Sequence, residues 1–418
     1  MPSNKSNTPW ITVIGIGEDG LDGVSDASLA LIKSGEIIVG GERHLKMVAD
    51  INTGPAQIRM DWSAGFGRTL DILEQKKGAA IVVLASGDPM YFGVGATLAR
   101  RFGASALNVI PAISSITLAC ARMGWSQPDI NVVTIHGRPA ENINRYLCDG
   151  AKIIALSNGG ESPKMVAKLL CEQGFAKSKI IVLENLGGKN ENRVEGLAEK
   201  WRADECAHLN IMAIECVADI GVSGYSFAAG LADNAFGHDG QITKREVRAV
   251  TLAQLAPVAG EMLWDIGSGS GSIAIEWMRA GKNMKAIAIE KNETRAENIN
   301  NNAFNLGVTR LRVICGAAPD AFSEIIKNTP DAIFIGGGLS NGGEDLINSA
   351  WDALKPGGRL VVNSVTIKSE AIISNFADVV GGALTRINIE RSDKIGEQKS
   401  FRPLKTVTQL VAYKSGPA

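Results

Sequence analysis

Short apolar runs alternate with longer amphipathic stretches along most of this chain. Trp10–Ile14, Ala79–Leu84 and Asn108–Ile110 are such runs, and Asn131–Ile135, Lys152–Leu156, Lys179–Leu183 and Leu209–Ile214 continue the series. Each is too short for a buried helix and is bounded by glycine, proline or small polar residues, so each predicts a buried strand. Ser25–Ser34 and Ile116–Met123 carry helical patterns between them, with Ser25 or Asp26 placed to cap the first. Two small α/β lobes are expected, with a hinge near Trp125–Pro128. Periodicity is lost over 218–237, where Gly221, Gly224 and Gly230 mark a linker.

Beyond the linker the alternation resumes. Thr243 and Glu246 have the spacing of a capping box, which predicts a helix start. Met262–Asp265, Lys285–Glu290, Leu311–Cys315 and Asp331–Ile335 read as strands, and Glu293–Asn305 as a helix. Leu354–Thr366 reads as a turn, a strand and a loop, and Thr408–Tyr413 as a last, antiparallel strand. The expected organisation is α/β throughout, with domains over 1–220 and 221–418.

Composition narrows the function classes. A chain of 418 residues is too long for one typical core. The formal net charge is −1, so no bulk field favours nucleic acid or an anionic membrane. No apolar run is long enough to span a bilayer, and residues 1–9 lack the apolar core of a signal peptide. Six cysteines are scattered without a C-x-x-C pair, which predicts reduced thiols in a cytoplasm. Four dispersed histidines form no metal constellation, so no metal is expected.

The chemistry gathers at strand ends. Asp265-Ile-Gly267-Ser268-Gly269-Ser270-Gly271 follows an apolar strand and precedes a helical stripe, a cradle where backbone approaches a nucleoside-bearing ligand. A dinucleotide fingerprint needs glycine at 272, where Ser272 stands, so the pattern is that of methyltransferases using S-adenosyl-L-methionine (SAM). Glu290, at the end of the next strand, is the acid for the ribose hydroxyls. Gly316-Ala317-Ala318-Pro319 is the adenine-side loop, and Asn363-Ser364-Val365-Thr366 lies where the transferred methyl is expected. In the first half, Gly15, Gly17 and Gly20 form a literal G-x-G-x-x-G. The following strand nevertheless ends in Gly40 and Gly41, with Glu42 one step late for a dinucleotide site.

Gly15-Ile-Gly17, Ser86-Gly87-Asp88-Pro89, Pro111-Ala-Ile-Ser-Ser115 and His136-Gly137-Arg138 resemble the tetrapyrrole (corrin and sirohaem) methylase family. Two positions depart from its pattern: Glu18 and Asp19 where the family usually has proline and glycine, and Ala112 in place of glycine. Over about 235–415, Ile242-Thr243-Lys-Arg-Glu-Val-Arg248 with the glycine turn resembles the corrin C15 methyltransferase and decarboxylase branch. The resemblance implies a two-lobed tetrapyrrole methylase fold followed by a class I, Rossmann-like methyltransferase. It implies SAM as cofactor, held by Thr243, Asp265, Gly267–Gly271, Glu290, Ala317 and Ala318 in the second half. In the first half the holders are Gly87, Asp88, Pro89, Ser114 and Ser115. It implies methylation of a corrin at C5 and C15 with loss of the ring C acetate carboxyl. Asn363, Ser364 and Thr366 are the catalytic candidates, and Arg245 and Arg248 the candidates for the substrate's carboxylates. Another tetrapyrrole or a cobalt-containing corrin is the alternative substrate. No nucleic acid or membrane partner is expected, and a homo-oligomer is.

Overall fold

A computed structural model describes residues 9–51 and 57–416. They form two compact units, one comprising the chain up to Ala140 with Asp149–Val222, the other Glu141–Cys148 with the chain from Ser223 onward.

The first unit has two sheets. Strands β1 (Ile11–Ile16), β2 (Ile37–Val39), β3 (Ile58–Met60), β4 (Ile81–Ser86) and β5 (Leu107–Ile110) pair in the order β3-β2-β4-β1-β5, all parallel. Ile11 and Val13 face one core, and Ile14 and Ile16 the other. Burial on both faces is why this strand reads as a continuous apolar run. Ser25 caps the helix Asp26–Ser34 as expected, accepting from the Ser28 N–H at 3.3 Å.

The second sheet joins β6 (Asn131–Thr134), β7 (Lys152–Leu156), β8 (Lys179–Glu184), β9 (Asn192–Leu197) and β10 (Asn210–Glu215) in the order β6-β7-β10-β8-β9. Only β6 and β7 run parallel. β9 was not among the apolar runs. It is an edge strand whose side chains stay exposed or half-exposed, so backbone pairing to β8 holds it rather than an apolar face.

The second unit is built on a seven-stranded sheet. Its strands are β11 (Met262–Ile266), β12 (Lys285–Glu290), β13 (Arg312–Cys315), β14 (Ala332–Ile335), β15 (Arg359–Ser364) and β16 (Ala383–Ile387). An exposed hairpin of β17 (Glu390–Ile395) and β18 (Gln398–Pro403) precedes the last strand, β19 (Val407–Tyr413). The sheet order is β13-β12-β11-β14-β15-β19-β16, with β19 antiparallel to both neighbours. The chain moves one way from β11 to β12 and the other way to β14. This makes the carboxyl end of β11 the topological switch point, where open parallel sheets bind ligands. Trp264 and Trp277, each at most 1% exposed, fill cores on opposite faces.

Two expectations are corrected here. Thr243 does not cap a helix: the helix starts at Arg245, and Lys244 at the cap position makes no side-chain cap bond. The capping box fails because Glu246 is drawn to Arg391, 2.6 Å away, while the Thr243 carbonyl accepts from Arg248. Nor is all of 218–237 a linker. Leu231 and Phe236 are buried in the second unit's core, and the Gly230 and Leu231 N–H groups donate to Glu276 at 2.6 and 3.0 Å. The segment's small residues and turns hid two core anchors from a periodicity reading.

Candidate functional site

The glycine turn after β11 sits at the switch point. Gly267 and Ser268 donate to the Ile289 carbonyl at 2.9 and 3.1 Å, tying the turn to β12. Gly267, Gly269 and Gly271 have φ of +65°, +61° and +76°, a region that side chains strain. The three glycines differ in what surrounds them. A Cβ at Gly267 would stand 2.8 Å from the Gly337 backbone, and one at Gly271 2.7 Å from the Ile299 side chain. Above Gly269 the nearest atom is the Gln241 carbonyl oxygen at 3.4 Å. The middle glycine is therefore the least crowded of the three, its Cβ position in ordinary contact with one backbone oxygen.

Two acids face this turn. Glu290, at the end of β12, accepts from the Gly269 N–H at 2.9 Å and, through its other oxygen, from the Asn292 N–H at 3.0 Å. Each carboxylate oxygen keeps further lone-pair capacity for a hydroxyl. Asp265 is 1% exposed; its Oδ2 accepts from Ser268 Oγ at 2.7 Å and Ala274 N–H at 3.0 Å, while Oδ1 has no hydrogen-bond partner. Burial, outweighing the two hydrogen bonds, pushes its carboxyl up to about 6. Asp265 thus braces the turn from beneath. Ser270 is buried, with its carbonyl held by Asn302 at 2.9 Å. Gly316 donates to the Glu290 carbonyl at 3.0 Å, which brings the half-buried Ala318 and exposed Ala317 beside the end of β12. Thr243 is half-buried before the helix.

The residues expected beside the methyl are placed unequally. Asn363 is half-buried and donates to Thr251 Oγ1 at 2.9 Å, while its carbonyl accepts from Gln409 at 2.8 Å. Ser364 is 3% exposed and bonds Ser369 Oγ at 2.8 Å. Thr366 caps the helix Ile367–Val380, accepting from the Ser369 N–H. Ser364 and Thr366 are therefore committed to a helix start, and Asn363 is the member with amide capacity to spare. Arg245 is exposed and anchored by Gly230 O at 2.7 Å. Arg248 is corrected: it is 0% exposed and its guanidinium is taken by Glu276, Asp233, Thr243 O and Leu231 O. A cation so enclosed holds the scaffold and meets no substrate carboxylate.

In the first unit the carboxyl ends of β1, β4 and β5 converge. Gly87 donates to Ile16 O at 3.0 Å, and Ala112 donates to Gly87 O at 3.1 Å. A Cβ at Gly15 would stand 2.0 Å from that Gly87 oxygen, so only glycine lets the three loops meet. They open onto a cavity of about 580 Å³ between the two sheets, lined by Gly87, Asp88, Ser114 and Ser115 from one side and Thr134 and Ile211 from the other. Ser114 caps the helix Ser115–Met123 by accepting from the Thr117 N–H at 3.1 Å. Asp88 accepts from the Met90 N–H at 2.8 Å. Pro89 is buried and does not line the cavity; it packs under Gly93, where a Cβ would lie 2.5 Å from its carbonyl oxygen.

Sequence reasoning missed part of this wall. Arg43 pairs with Glu18, and Ser86 Oγ lies 3.1 Å from His44 Nε2, all four side chains bordering the cavity. Burial first, then the neighbouring Arg43 charge, lowers His44 to about 4. The available signal was position: Arg43 and His44 open the helix that follows β2, one more strand end on the ligand side.

Residues 11–201 match the family model of tetrapyrrole (corrin/porphyrin) methylases, and residues 234–414 that of a precorrin methyltransferase domain. The chain is 46% identical over 402 residues to a Sinorhizobium precorrin-6Y C(5,15)-methyltransferase (decarboxylating), covering 96% of both chains. It is 38% identical over 403 residues to the Mycobacterium tuberculosis protein of that name, covering 96% of this chain and 98% of the relative. Among solved structures, the C-terminal domain of the Rhodobacter capsulatus precorrin-6Y C5,15-methyltransferase is 41% identical, with a TM-score of 0.43; 46% of this chain and all of that one are covered. Two sets of ligand-side loops on two α/β units, and similarity running through both of them, place this chain in the precorrin-6Y C(5,15)-methyltransferase (decarboxylating) family.

Proposed function

We propose that the protein methylates precorrin-6B at C5 and C15 and decarboxylates its ring C acetate, giving precorrin-8X for cobalamin synthesis. The first unit performs the C5 transfer, and the second performs the C15 transfer and the decarboxylation. The observation that carries this reading is the positive-φ glycine turn at the switch point, with the Gly269 N–H bonded to Glu290 at the end of the next strand. Bound SAM supplies an electrophilic sulfonium methyl. In the second unit Gly267–Gly271 would cradle it, Glu290 would accept from its ribose hydroxyls, and Ala317 and Ala318 would line the adenine side. In the first unit Gly87, Asp88, Ser114 and Ser115 would present backbone and side-chain polar groups to it.

The meso carbons of a reduced corrin are enamine-like nucleophiles, so the protein's task is alignment in a cleft that excludes water. Such positioning lowers a barrier by roughly 7–11 kcal/mol. Asn363, held by Thr251 and Gln409, orients the macrocycle at the second site. The exposed Arg245 offers its fork to a peripheral carboxylate. When the acetate's carboxylate leaves as carbon dioxide, the C–C bonding pair flows into the conjugated ring toward a protonated ring imine, and a proton from solvent converts the remaining methylene to a methyl. No strong base is required.

Among the described residues no helix is long and apolar enough to cross a membrane. A cytoplasmic site and a homo-oligomeric state complete the proposal, the latter read by sedimentation. The test is product mass after incubation with precorrin-6B and methyl-labelled SAM. Two labelled methyls gained and one carboxyl lost is the expected result. A product that keeps every carboxyl, or gains no methyl, would sink the reading.

A further inference from the structure

The cleft of the first unit carries a charged cluster to which the reaction above gives no task. Arg43, on the helix Glu42–Met47, reaches Glu18 in the loop after β1. Its Nη2 donates to Ser86 Oγ at 3.0 Å and lies 3.4 Å from His44 Nε2. A guanidinium only donates, so the imidazole nitrogen it faces is an acceptor and His44 is neutral. Arg43 is therefore the cation of this cluster. It is fixed from one side by Ser86 and His44, and its side chain is still 36% exposed. That exposure matters, because a second acceptor can reach the fork from the cavity.

We propose that Arg43 is the anchor for a peripheral acetate or propionate of the corrin, and that Glu18 keeps its place until the substrate arrives. This rests on the reading of the first unit as a corrin-methylating site. A corrin precursor is a polycarboxylate, and the Glu18 and Asp88 carboxylates on the cavity wall oppose its entry. Exchange of Glu18 for a substrate carboxylate leaves Arg43 paired before and after, so the charge is never stranded. Ser86 and His44 hold the guanidinium in place throughout, so little ordering is lost on binding. The planar fork accepts a carboxylate in two-point fashion, which also sets the orientation of the ring.

The experiment uses the full-length protein and follows methyl gain at C5 against corrin and SAM concentrations. Arg43→Met is expected to raise the corrin KM about tenfold or more while leaving the SAM KM unchanged. Arg43→Lys keeps the charge without the fork and falls between the two. Glu18→Gln removes the competitor and is expected to lower the corrin KM. The decisive variant is Glu18→Gln with Arg43→Met, which deletes the ion pair without leaving a lone charge. If Arg43 anchors substrate, the corrin KM of this double variant stays high. If Arg43 only fastens the loop through Glu18, Glu18→Gln alone raises the corrin KM as Arg43→Met does, and the proposal is overturned. A SAM KM that rises in step with the corrin KM overturns it equally. Absence of C5 methylation by the wild-type protein removes the underlying reading, and this inference with it.

Discussion

Arg248 and Glu276 are buried together in the second unit: Arg248 Nε donates to Glu276 Oε1 at 2.6 Å, with side-chain exposures of 0% and 3%. Glu276 also accepts from Gly230 and Leu231, and Arg248 also binds Asp233 and two carbonyls. The pair therefore clips the chain entering the unit onto the helix that follows the glycine turn. Breaking one side strands the other. Arg248→Met is predicted to destabilise the second unit by about 3–5 kcal/mol. Chemical denaturation of the full chain reads this, and a loss below about 1 kcal/mol, the range of an exposed pair, contradicts the clip.

The glycines of the turn separate binding from folding. Gly269→Val is predicted to abolish SAM binding at the second site, because a branched side chain would project between the turn and Gln241, beside Glu290. The positive φ adds only about 1–2 kcal/mol of strain. Gly267→Ala should instead lower stability, since its Cβ meets the Gly337 backbone at 2.8 Å. Calorimetry and thermal melts of both variants test the contrast. Unchanged SAM affinity in a folded Gly269→Val protein would remove the assignment of this site.

Asp265 predicts a pH dependence. Its carboxyl is raised by burial from 3.8 to about 6, so between these values the folded state binds more protons than the unfolded state. Stability from this group is then highest below pH 4 and declines as pH rises toward 6, by at most about 1.4 kcal/mol per pH unit. The loss is completed about one unit above pH 6 and is constant beyond. Asp265→Asn should flatten that segment of the stability profile, measured by denaturant midpoints at successive pH values. An unaltered slope would mean that Asp265 is ionised in the fold.

The division of labour between the units is tested by point variants in the full chain. Gly87→Leu places a branched side chain at φ +52°, where even a Cβ meets the Ile113 carbonyl at 3.1 Å. It is predicted to stop C5 methylation alone. Gly269→Val is predicted to stop C15 methylation and decarboxylation together. Mass spectrometry of the products distinguishes the two. Loss of all three changes in a well-folded Gly87→Leu protein would show that the sites do not act separately. Excised halves are a poorer test, because the second unit includes Glu141–Cys148. Arg145 in that segment donates to Met278 O, Arg279 O and Gly281 O at 2.7, 2.8 and 2.9 Å.

The parallel strands β1, β4, β11, β12 and β14, the turn Gly267–Gly271 and the acid Glu290 were all legible in the chain. Two-sided burial writes itself as an uninterrupted apolar run, and a turn at positive φ writes itself as glycine. Both are local demands, so neighbouring residues carry the whole signal. Edge strand β9 and the hairpin β17–β18 left no such mark, because backbone pairing holds them and their side chains face water. The charged groups were legible only as types. Lys244, Arg245 and Arg248 stand within one short stretch, yet Arg245 is exposed and Arg248 is sealed against Glu276. Arg43 and Glu18 meet across 25 positions, and Asn144 meets the Phe304 carbonyl across 160. Whether a cation greets substrate or locks the scaffold depends on which distant element packs over it. That choice is made by the tertiary fold, where desolvation forces each buried charge to find its partner.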